Sequence, residues 1–190
     1  MNIFIKGNSK MGKNVYIFNI TPLTTCKPSP WCRKNCYALK NNFRLPSAIE
    51  SAAKRLKISG QENFANLAVE EIKKRKMRLV RVHSSGDFYS KEYIRKWTAI
   101  AERCPETLFR TTTKRRDFKE DILKLNALPN FIVRESLDPS SPNPVMSLPL
   151  AMINTIEEAQ NPDVIKCPND CEACGYHCWF ERKNMCFQPR

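Results

Sequence analysis

Eight of the nine cysteines in this sequence fall into two clusters. The first is Cys26-Lys-Pro-Ser-Pro-Trp-Cys32-Arg-Lys-Asn-Cys36-Tyr37, set just after an apolar run. The second is Cys167-Pro-Asn-Asp-Cys171-Glu-Ala-Cys174-Gly-Tyr-His-Cys178-Trp179, followed by Cys186. Cys104 stands alone and reads as a buried structural thiol. Closely spaced thiols hold metal where the compartment is reducing and form disulfides where it is oxidising. Residues 1–20 carry no apolar segment of a secretory leader, and no apolar run approaches the ~20 residues that span a bilayer. The expectation is therefore a cytoplasmic protein without membrane association, whose thiols bind metal.

The two clusters differ in what they can hold. Cys26, Cys32 and Cys36 are three in one loop without a neighbouring fourth. That suits an iron–sulfur cluster, which is met by cysteines strung along a loop with a further ligand from elsewhere. Cys167, Cys171, Cys174 and Cys178 suffice for a complete four-thiolate site, which leaves Cys186 to complete the first set, unless that position is open to a small molecule. One or two [4Fe-4S] clusters are expected. Zinc in the tail is the alternative, with His177 able to replace a thiol.

The elements that must position these residues follow from hydrophobic periodicity. Residues 15–20, 79–83, 107–112 and 131–135 read as short buried strands, and 146–153 can contain another. Between them lie helices. One opens at a capping box, Ser47 with Glu50; a second opens at Ser59 with Glu62; a third is capped by Ser90; a fourth covers 117–128. Strands alternating with helices build a parallel sheet, either an open α/β sheet or a partial β/α barrel of TIM or radical-SAM type. Residues 1–160 are expected to form this α/β domain with the first cysteine cluster, and 161–190 a cysteine-rich metal-binding tail packed on it.

Parallel α/β folds carry their sites at the carboxyl ends of the strands, in the loops that lead to the helices. Here those loops hold the first three thiols, then His83, Ser84, Ser85, Gly86 and Asp87, then residues 111–115, then Arg134, Glu135 and Ser136. All should face one rim. Lys and Arg outnumber Asp and Glu by 32 to 19, a formal net charge of +13, which favours polyanions such as nucleic acid or an acidic protein as partners.

Several segments resemble the bacteriophage gene product 88 family. They are Thr25-Cys26, Cys36-Tyr37-Ala38, Val82-His83-Ser-Ser-Gly-Asp87-Phe88 with Tyr93 and Trp97 downstream, Thr111-Thr-Thr-Lys114, and Cys171-x-x-Cys174-x-x-x-Cys178-Trp179. The resemblance runs over nearly the whole chain and implies a phage or mobile-element origin, hence a host cytoplasm. A weaker resemblance is to radical S-adenosylmethionine enzymes, which place three cysteines after the first barrel strand and a Gly-acid loop after the second. It implies S-adenosylmethionine as a further cofactor, the backbone of residues 84–86 with Asp87 at its amino group, His83 in the same rim and Arg134 at its carboxylate. The chain departs from that pattern, with C-x5-C-x3-C where those enzymes have C-x3-C-x2-C, and it is short for their barrel. The function expected is an iron–sulfur phage protein doing redox or radical chemistry on a nucleotide or nucleic acid. The other reading is a non-enzymatic DNA- or RNA-binding protein stapled by zinc or a cluster.

Overall fold

The computed structural model describes residues 2–188. Its centre is one sheet of eight strands. These are β1 (Ile5–Lys6), β2 (Val15–Phe18), β3 (Leu79–Val82), β4 (Leu108–Thr113), β5 (Phe131–Leu137), β6 (Leu150–Ile153), β7 (Ile165–Lys166) and β8 (Met185–Phe187). They lie in the order β1-β2-β3-β4-β5-β6-β8-β7. Only β1 is antiparallel to its neighbour; every other pairing is parallel. From β2 to β6 the order never reverses, unlike a doubly wound sheet, which changes direction at its switch point. The sheet is open, with β1 and β7 at its edges, so it forms no closed barrel.

The helices are α1 (Pro30–Lys34), α2 (Pro46–Ser59), α3 (Phe64–Lys74), α4 (Lys91–Arg103), α5 (Lys119–Asn126) and α6 (His177–Phe180). Two of the expected caps are not used. Pro46 occupies the first turn of α2 with Leu45 at the N-cap, because a proline's fixed φ already suits that position, and Ser47 lies inside the helix. Ser59 is buried and meets the Leu56 carbonyl and the Tyr89 hydroxyl, each at 2.8 Å; α3 starts only at Phe64, without a side-chain cap. Ser90 does cap α4, accepting from the Tyr93 amide at 3.1 Å.

Alternation along each strand divides the side chains between two faces. On one face Phe18, Val80, Val82, Phe109, Phe131 and Val133 meet the apolar stripes of α3, α4 and α5. Trp97 is fully buried there, with T-shaped contacts to Phe4, Phe18, Phe64, Tyr93 and Phe109. On the other face Val15, Ile17 and Leu79 pack against Cys178, Trp179 and Met185, all from the tail. The tail thus adds strands to the sheet and also covers its second face. Among the described residues no helix is long and apolar enough to cross a membrane.

Candidate functional site

The loops that follow β2, β3, β4 and β5 meet at one rim, although the one after β5 leads to β6 without a helix. Asp87, after β3, is the knot. Its carboxylate accepts from the Thr113 hydroxyl at 2.7 Å, the Lys114 amide at 2.9 Å and the Phe88 amide at 2.8 Å, while its own amide donates to Thr25 at 3.3 Å. Burial outweighs these donors and pushes its carboxyl up to about 6. Arg115 ties the loop after β4 to the first thiol loop, donating to the carbonyls of Thr25 at 3.1 Å and Phe88 at 2.6 Å. Asp138, after β5, pairs with Lys114 at 2.7 Å and accepts from Ser29 at 2.5 Å; Ser29 in turn caps α1 through the Cys32 amide. The Tyr37 hydroxyl donates to the Ser84 carbonyl.

Gly86 permits this crowding. Its φ is +87°, and an added Cβ would lie 2.3 Å from Ile20 Cγ1. Ser84 and Ser85 give their amides to Asn19 Oδ1 at 2.7 and 3.1 Å, and Ser85 Oγ donates to the Ile20 carbonyl. Residues 84–87 are therefore bound to the end of β2.

Every cysteine is a free thiol. Cys26 senses Cys32, and Cys32 senses Cys36, so the first three are electrostatic neighbours. The same holds for Cys167, Cys171, Cys174 and Cys178 in the tail. Burial raises the Cys26 and Cys171 thiols to about 11, and metal binding there would release protons. Among the described residues no three His, Cys, Asp or Glu side chains stand together as a metal-holding group. The donors fit thiolate–metal chemistry in type and neighbourhood without converging on a point. Cys186 is buried on β8 among Leu137, Leu150, Met152 and Val164, with Lys166 and Cys167 as its electrostatic neighbours. It lies by the tail thiols instead of beside the first three. His177 pairs with Glu181.

Between the two thiol groups, over the tail-covered face of the sheet, is a cavity of about 260 Å³. Cys32 and Cys36 line it from the first loop, and Cys167 and Cys171 from the tail. Arg81 and Arg110 also line it, and they are direct register partners on β3 and β4. Arg110 is 4% exposed and stacks on Trp179, its guanidinium carbon 4.7 Å from the ring centroid. Burial together with the neighbouring Arg110 charge lowers Arg81 to about 10.

Two residues proposed from sequence have other employment. Arg134 is fully buried, and its guanidinium donates to the tail carbonyls of Cys178 and Lys183, each at 3.0 Å, and of Glu181. Three of its five N–H groups hold the tail and the side chain is sealed from solvent, which turns it away from the ligand carboxylate expected of it. His83 is buried on the helix side of β3, with Nε2 2.9 Å from the Tyr93 hydroxyl, away from the cavity. Sequence reasoning missed Arg81 and Arg110, although a charged residue inside Leu79-Val-Arg81-Val82 or Leu108-Phe-Arg110-Thr is the available signal.

A family model described as Gene product 88 matches residues 2–151, well over half of the chain. No curated protein and no solved structure matches it. The chain belongs to the gene product 88 family.

Proposed function

We propose that this member of the gene product 88 family is an iron–sulfur protein whose redox chemistry takes place at the cavity between its two thiol groups. Cys26, Cys32 and Cys36 hold one cluster, and Cys167, Cys171, Cys174 and Cys178 hold a second centre. The observation that carries this is that Cys32 and Cys36 line one side of the cavity of about 260 Å³ while Cys167 and Cys171 line another. Thiols from distant parts of the chain share one small space over the face of the sheet, which the rim loops that carry Cys32 and Cys36 reach from the strand ends.

A cluster held by these thiols would supply single electrons. The protein's own residues prepare the place. Asp138 and Ser29 fix the first thiol loop against the end of β5, and Lys114 balances the Asp138 charge. Trp31 and Tyr37 stand at the cavity beside Cys32 and Cys36 and restrict water around the sulfurs, which tunes their potential. Arg134 holds the second thiol group over the sheet through the Cys178 carbonyl.

Anaerobic purification with iron, sulfide and zinc analysis tests the reading. The expected result is coloured protein with about four irons per chain for one cluster and about eight for two, reduced by roughly half in Cys32→Ser/Cys36→Ser if both are present. Colourless protein containing zinc alone would overturn it and leave a zinc-stapled polyanion-binding protein in its place.

A further inference from the structure

The arginine pair in the cavity is unaccounted for by the fold. Among the described residues the Arg110 side chain donates no hydrogen bond, and its Nε is buried without a partner. Arg81 donates only to the Met11 sulfur, at 3.8 Å. Arg110 is thus withdrawn from water with an indole face for company, and the partly buried Arg81 beside it has only a thioether. A buried charge left unpaired is strongly destabilising, and like charges side by side add to it. The one carboxylate among the cavity's lining residues, Asp138, is already held by Lys114 and Ser29.

We infer that the cavity binds a mononucleotide-sized organic phosphate, with the phosphate group between Arg81 and Arg110. A carboxylate satisfies one guanidinium fork, whereas a phosphate has oxygens enough for two. Trp31, Tyr37 and Phe187 line the same cavity and give a heterocyclic ring faces to stack on. Its volume of about 260 Å³ lies just under the usual range for small-ligand pockets, with room for one small organic phosphate and none for a duplex. The inference names the substrate class of the cavity and rests on the proposed function only for that cavity's being a reaction site; the arginines require no metal.

Calorimetric titration of the full chain with adenosine monophosphate, adenosine and inorganic phosphate tests it, with metal content measured on the same samples. The monophosphate should bind, with adenosine and inorganic phosphate each at least about tenfold weaker, and Arg81→Met or Arg110→Met should weaken it by about 10- to 100-fold. Arg110→Met should melt no lower than the wild type without ligand, because an unpaired buried charge has been removed. Should that variant fail to fold, Lys10→Glu at the exposed cavity edge serves instead, lowering affinity about tenfold at low salt. Equal binding of adenosine and its monophosphate, unchanged affinity in the arginine variants, or arginine variants that lose metal while the wild type ignores the monophosphate would each overturn the inference. Wild type that binds the monophosphate without carrying metal overturns the proposed redox function alone; metal-loaded wild type that ignores it overturns this inference alone.

Discussion

His83 shows how a residue can look functional and serve the fold. It sits at the end of β3 with φ +64°, a conformation uncommon for a side chain of its size, and its Nδ1 has no hydrogen-bond partner among the described residues. Burial, with the Arg81 charge adding, lowers its pKa from 6.5 to about 3. The imidazole is therefore neutral in the fold. The unfolded chain takes up a proton as pH falls through 6.5, while the folded chain does not until about 3. The stability it contributes is full above 6.5 and is lost progressively as the pH falls toward 3. Urea unfolding at about pH 4 and about pH 7 should show His83→Gln losing about 3 kcal/mol less on acidification than the wild type. Parallel losses in the two proteins would mean that the histidine is already solvated. The two groups of neighbouring thiols were legible because the type and spacing of cysteines are informative without a fold. Arg81 and Arg110 were not, because a strand's alternation separates two faces without saying what covers each one. Their burial becomes visible only once the tail is seen lying over them.

At the scale of elements, β2 to β5 and α2 to α5 were legible from hydrophobic period and length, whereas α1, five residues inside the first thiol loop, was not. Capping signals did less well, since Pro46 overrode the Ser47 box and Ser59 turned inward to Tyr89. The tail strands β7 and β8 have 2 and 3 residues, too few for any period to register. What secures them is a side chain from elsewhere, Arg134 on β5, bonded to carbonyls at Cys178, Glu181 and Lys183. Arg134→Met should leave the Cys178 carbonyl buried and unpaired and strip the other two of their donor, at a cost of about 1 to 3 kcal/mol. The loss should be local. Amide hydrogen exchange should speed up across residues 167–187 before it does in α4 or β4. Uniform acceleration throughout the chain would show that tail and sheet open as one unit.

For the whole molecule, the sequence supported a parallel α/β architecture but could not decide whether the sheet closes, since closure depends on pairings between strands distant in the chain. The division at residue 160 is also more consequential than composition suggests. Val15, Ile17 and Leu79 are buried on one face of the sheet against Trp179, Met185 and Cys178. A chain ending at residue 160 would present that face to water, and size-exclusion chromatography should find it aggregated where the full chain is not. A soluble, monomeric fragment with native circular dichroism would refute this. The order β6-β8-β7 has one more consequence. Among the described residues β7 pairs with β8 alone, and β8 follows it in the chain, so β7 must wait for residues 185–187 before it has a neighbour in the sheet. The tail thiols lie between those two strands in sequence. During synthesis the first thiol loop and the strands β2 to β5 can find their partners before residues 165–187 are made, whereas the second wall of the cavity forms only after them. The later residues thus close the cavity over an earlier floor, and a ligand can be enclosed at that step.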